Sequence, residues 1–221
     1  YEDGSTFYLF YSAVISGGGT DSHNAIGVAT APAVTGTYTD NGSSILAPAT
    51  AGAWDSRRVG EPSAIKVGST WILAYMGEDS DFAYQDSERV GIATASSPTG
   101  PYTRAAGNPL VDWGAGGTWD DNLTADPSIF YEGGYYWMLY SGGGDPTGNH
   151  HPWILGLAYA LSPTGSWTKH PNNPIINVGG AGTWEEYAAG RGAIWIEGGE
   201  YGGIYAGFNA GAVTPKGGNF R

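Results

Sequence analysis

Glu61 and Asp126 are two carboxylic acids 65 residues apart, and Arg191 follows at the same interval. They open the matched stretches Glu61-Pro62-Ser63-Ala64-Ile65, Asp126-Pro127-Ser128-Ile129-Phe130 and Arg191-Gly192-Ala193. Two carboxyl groups at equivalent places can divide acid–base work when their surroundings differ. Burial and nearby like charge raise one pKa, and hydrogen bonds lower another. One group then gives a proton while the other accepts one or attacks. The same acids could instead cap turns at strand starts, each beside a proline. Arg191 cannot release a proton at useful pH. A guanidinium there is expected to lower the pKa of neighbouring carboxylates, keep them ionised, and hold polar ligand groups through charge-assisted hydrogen bonds.

The interval belongs to a repeat. Trp54, Trp119 and Trp184 share it, as do Tyr11, Tyr75, Tyr140 and Tyr205, and Tyr38, Tyr102 and Trp167, to within one residue. Each unit reads as a head strand, a glycine turn, and a second strand such as Trp71–Tyr75 or Tyr136–Tyr140. A long polar loop and a third strand such as Gly91–Ala95 or Gly156–Ala160 follow. A Ser-Pro-Thr-Gly turn, a short fourth strand, and Asn-Pro and Gly-Thr-Trp segments close the unit. Four short strands per unit with Gly/Pro turns and no sustained helical period imply an all-β chain. The expected architecture is a single β-propeller domain of four-stranded blades, about 65 residues per blade. Residues 1–60 read as a blade lacking its first strand, 61–125 and 126–190 as complete blades, and 191–221 as the start of another. That is a little over three blades, so sequence beyond both ends, or another chain, is expected to complete the ring and remove its free edges.

Antiparallel succession sorts the loops onto two faces. The turns after strands one and three are bland. The other face gathers Asp21, His23, Glu78, Asp79, Asp81, Asp86, Glu88, Arg89, Asp145, His150 and His151. The inter-blade segments add Asp55, Arg57, Arg58, Asp120, Asp121, Glu185 and Glu186. Long polar loops on one side of a scaffold commonly carry function, although loops are also polar simply because they are wet. Arg58, Asp121, His150, Trp153, Tyr187 and Arg191 are the expected ligand contacts there, with Asp126 and Glu61 as the expected catalytic groups. His150-His151 could equally be solvent-exposed. The repeated tryptophans are expected to pack between blades. No cofactor is expected, but Glu78-Asp79-Ser80-Asp81 offers oxygen donors of a kind that could hold calcium.

Bulk properties narrow the partners. The net charge of −12 with only nine Lys and Arg argues against nucleic acid and anionic membranes. No apolar run approaches the ~18 residues of a membrane span. Thirty-eight glycines fit many tight turns, and aromatics at 14% fit strands and stacking surfaces. With no cysteine, disulfides and thiolate metal sites are excluded.

Taken in order, the Asp-Pro-Ser-Ile-Phe head (126–130), the Ser-Pro-Thr-Gly-Pro-Tyr turn (97–102) and the Asn-Pro and Gly-Thr-Trp-Asp endings resemble the five-bladed propellers of glycoside hydrolase family 43 and its relatives. The resemblance implies an extracellular protein that binds plant or algal oligo- or polysaccharide, such as arabinan or xylan, and in complete form hydrolyses it. The family uses three head acids: a base Asp, an Asp that orients and tunes the acid, and a Glu acid one blade later. Thr124-Ala125-Asp126-Pro127-Ser128 matches the tuning Asp. The base would lie in a first strand before Tyr1, and Arg191 stands where the Glu would be. Either Glu61 or Glu185/Glu186 supplies the acid, or the site binds sugar without cutting, as a glycan-binding adhesin or appendage domain would.

Overall fold

The computed structural model describes residues 1–16, 23–79, 87–143 and 153–209, and all regular structure in them is β. Strands β1 (Glu2–Asp3), β2 (Thr6–Ser16), β3 (His23–Ala31) and β4 (Thr39–Asp40) form one antiparallel unit. A second contains β5 (Arg58–Val67), β6 (Thr70–Glu78), β7 (Arg89–Ala95) and β8 (Thr103–Arg104). A third contains β9 (Leu123–Glu132), β10 (Tyr135–Gly143), β11 (Ile154–Ala160) and β12 (Thr168–Lys169). Strands β13 (Ala188–Glu197) and β14 (Glu200–Phe208) make a final hairpin. The first two units join through one parallel pair, Asn24 opposite Arg58.

Two features differ from the sequence reading. The first unit keeps a two-residue piece of a first strand, β1, paired with β2 through Glu2–Phe7 and Asp3–Thr6. The head residues do not open their strands either. Glu61, Asp126 and Arg191 are each the fourth residue of β5, β9 and β13, because the three residues before each head already pair with the next strand.

Strand β6 explains the near-continuous apolar runs. Side chains alternate across a strand, and both faces of β6 are covered. Trp71, Leu73 and Tyr75 pack with Ile26 and Val28 of the first unit, while Ile72 and Ala74 pack with Ile129, Met138 and Tyr140 of the third. Two of the repeated tryptophans lie against these layers, while Trp184 is exposed. Trp54 packs on the layer between units one and two, and Trp119 on that between units two and three. Glycine is required beneath them: a Cβ on Gly77 would fall 2.4 Å from the Trp54 ring, and one on Gly142 2.2 Å from Trp119.

A buried polar network accounts for several repeat columns at once. Tyr75 donates its hydroxyl to Asp55 and Tyr140 to Asp120, both at 3.0 Å. Arg104 donates to Asp55 at 2.7 Å and Lys169 to Asp120 at 2.6 Å. Asn108 and Asn173 donate to the tyrosine hydroxyls at 3.1 and 3.3 Å. Asp55 and Asp120, assigned above to the functional face, are therefore buried framework acids.

The first strands of successive units stand side by side. Ser63 accepts the Ile129 N–H at 3.1 Å, and Ser128 accepts the Ile194 N–H at 3.3 Å. The serine of each Pro-Ser pair thus ties its strand to the next, bringing β5, β9 and β13 together.

Candidate functional site

Each head residue sits in a β-bulge. Gly60 pairs with Met76 and Ser63 with Ala74, which leaves Glu61 and Pro62 opposite Tyr75 alone. Asp126 and Pro127 bulge in the same way opposite Tyr140, and Arg191 and Gly192 opposite Tyr205. The first bulge residue takes a left-handed backbone, with φ of 52° at Glu61, 48° at Asp126 and 54° at Arg191. Glycine normally serves there. A side chain costs about 1–2 kcal/mol in that conformation. Strain repeated at three matched positions points to a use for the side chains.

The bulges bring the heads together. The Glu61 carboxyl group accepts the Asp126 backbone N–H at 2.8 Å, and the two acids act on one another electrostatically. Buried Ser141 accepts the Arg191 N–H at 2.8 Å and favours the ionised form of Asp126. The exposed Arg191 guanidinium lies 4.5 Å over the Trp153 ring and acts electrostatically on both acids. Glu88, buried just before β7, adds negative charge near Glu61.

Burial pushes the Glu61 carboxyl well above its ordinary range. The Asp126 and Glu88 charges push the same way, against the Asp126 N–H and Arg191. Burial also raises Asp126, opposed by Arg191, by Ser141 and by the Glu61 carboxyl. Arg191 therefore pulls in the expected direction, but desolvation is the larger effect on both acids. The two acids titrate as a coupled pair, with Glu61 the more strongly raised. Carboxyl groups that flank a glycosidic bond stand roughly 5 Å or more apart with the sugar between them, whereas here one acid braces the backbone of the other.

The remaining expected contacts divide. Trp153 belongs to this cluster through Arg191. Arg58 does not present itself to a ligand: it is buried and paired with equally buried Glu78. Asp121 holds a turn, accepting the Gly117 N–H at 2.6 Å. Glu186 does the same for Gly182. Tyr187 is half-buried just before β13, its N–H donated to Phe208 at 2.8 Å. His150 lies outside the described residues. Of the calcium stretch, Glu78 is taken by Arg58 and Asp79 lies 3.8 Å from Arg89, while Ser80 and Asp81 lie outside the described residues. Among the described residues no group of three or more His, Cys, Asp or Glu is placed to hold a metal ion. No motif in the sequence marks Ser141. Its signal was position: it directly follows a repeat tyrosine.

No protein-family model and no curated protein matches the chain. Solved structures do match. Zg3597, a family 117 glycoside hydrolase from the marine bacterium Zobellia galactanivorans, superposes with a TM-score of 0.69 at 24% identity, covering 91% of this chain and 63% of that one. The chain shares its fold with glycoside hydrolases. A thermostable family-43 glycoside hydrolase gives 0.67 at 18% identity, covering 91% of this chain and 62% of the other. A complex of BT0996 with RGII gives 0.64 at 13% identity, covering 96% and 82%. The chain thus spans 62–63% of the length of the two glycoside hydrolases.

Proposed function

We propose that this chain is the sugar-handling part of a secreted five-bladed β-propeller glycosidase that binds, and in complete form hydrolyses, plant or algal polysaccharide. The observation that carries the proposal is the Glu61–Asp126 pair: two adjacent acids, the first accepting the backbone N–H of the second and pushed up by desolvation, beside a cation stacked on an indole. Glu61 holds the proton for a leaving oxygen, and Asp126 orients it and tunes its release. Arg191 and Trp153 bind sugar, the first through charge-assisted hydrogen bonds to hydroxyls and the second by stacking on a sugar face. The opposing carboxylate and the strands that close the ring come from a longer chain or a second one. The RGII complex among the structural neighbours fits an oligosaccharide ligand.

Arg191, in a head position where a third carboxylate would complete the acid set, favours a second reading: binding without cutting. Hydrolysis of arabinan and xylan by the complete protein, followed as reducing ends, separates the two. Under the first reading Asp126→Asn cuts turnover at least about a hundredfold with little change in binding. Equal loss of binding and rate would make Asp126 a sugar contact. Binding with no hydrolysis would establish the second reading, and no binding to any glycan would end both.

A further inference from the structure

The backbone N–H of each bulged head needs an acceptor, and the three heads do not find it in the same way. Glu61 donates to the Ser12 hydroxyl at 2.9 Å and Arg191 to the Ser141 hydroxyl at 2.8 Å. Both serines directly follow a repeat tyrosine, Tyr11 and Tyr140, in the second strand of the preceding unit. The residue in that place before Asp126 is Met76, after Tyr75. A thioether is at best a weak acceptor, and Met76 is buried against Leu123 and Ala125 instead. The Asp126 N–H turns to the Glu61 carboxylate at 2.8 Å.

The residue before each head follows the same division. Gly60 and Gly190 precede the serine-braced heads, and a Cβ on either would come within 3.2 Å of the serine oxygen. Ala125 precedes Asp126, where its methyl meets Met76. The pairs Gly60–Ser12 and Gly190–Ser141 stand against Ala125–Met76, so the middle head is built on a different brace.

We propose that Met76 is the positioning residue for Glu61: by taking the place of the bracing serine it leaves the Asp126 amide without a hydroxyl, and the Glu61 carboxylate is drawn across to fill the gap. A part-buried amide left without a partner is costly, so the carboxylate is held over Asp126 and not turned to solvent. Glu61 therefore does two things at once, bracing the next head's backbone and acting electrostatically on that head's side chain. The placement of Glu61 is independent of sugar chemistry; its catalytic consequence rests on the function proposed above.

A double-mutant cycle read by denaturant unfolding of the sugar-free protein tests this. Glu61→Ala should lower the folding equilibrium constant about tenfold in the wild-type background. In a Met76→Ser background the same change should cost about twofold or less, because the new hydroxyl takes the Asp126 N–H. Met76→Ser with Ala125→Gly reproduces the pairing of the flanking heads and should give the same relief. Met76→Ala, with no hydroxyl, should leave the cost near tenfold. Equal cost of Glu61→Ala in all backgrounds would overturn the proposal. Amide exchange at Asp126 gives a readout that needs no change at position 76. Glu61→Ala should speed it about tenfold and Glu61→Gln, which keeps an acceptor, should not; no acceleration by Glu61→Ala would likewise overturn it. Neither measurement involves a glycan, so failure of sugar binding would sink the function and leave this inference standing.

Discussion

At the scale of single residues, two carboxyl groups and one guanidinium at three head positions set the electrostatics of the site. Glu61 and Asp126 have folded-state pKa values raised by burial. The folded protein therefore binds more protons than the unfolded chain once pH exceeds the ordinary carboxylate range. Stability from this source is present at low pH and is lost as pH rises through the folded pKa of Glu61. Glu61→Gln keeps an acceptor for the Asp126 N–H and removes the titration. Its unfolding free energy should consequently fall less than that of the wild type between pH 4 and pH 7, as urea unfolding at several pH values would reveal. A wild-type curve that rises with pH over this range, with Glu61→Gln flatter, would contradict the assignment. Arg191 carries a second prediction, since its left-handed backbone at φ 54° favours glycine. Arg191→Gly should be more stable than Arg191→Ala by about 1 kcal/mol, measured by thermal unfolding, while both lose the cation that stacks on Trp153. The head acids were legible as a pair because they share the repeat interval. Their strained backbone was not, because no glycine marks any of the three positions. Arg58 and Asp121 fall on the expected segments, but a residue's place along the chain does not reveal which way its side chain turns. Arg58 turned inward to Glu78 and Asp121 toward its own turn.

At the scale of elements, the repeat columns are the parts of one packing device. Tryptophan, tyrosine, aspartate and asparagine recur because the indole lies over two glycines and against the tyrosine ring, while the tyrosine hydroxyl bridges the acid and the amide. Gly142→Ala would drive a methyl to 2.2 Å from the Trp119 ring and should destabilise by about 1–3 kcal/mol. Gly116→Ala meets nothing within 4 Å and should be within about 0.5 kcal/mol of wild type; equal effects would undo this packing scheme. Tyr140→Phe removes the hydroxyl shared by Asp120 and Asn173 and should cost about 1–2 kcal/mol. The strand pattern of these units could be read directly from alternating apolar residues and glycine turns. The bulges could not, since an extra residue opposite each tyrosine leaves the period of the repeat unchanged and appears only in the pairing register. That register also set the strand starts three residues before the expected heads.

At the scale of the whole molecule, three antiparallel units and a hairpin place β5, β9 and β13 side by side and converge their bulges on one site. The fold is that of glycoside hydrolases about half as long again. Whether the converged heads form a sugar site is read from calorimetric titration with arabino- and xylo-oligosaccharides. The wild-type protein should bind at least one of these series. Arg191→Ala should weaken that binding about tenfold or more, whereas Lys66→Ala, which removes a surface pairing with Asp3, should leave it unchanged. Equal affinity in wild type and Arg191→Ala would contradict this assignment and move the sugar site away from the three heads.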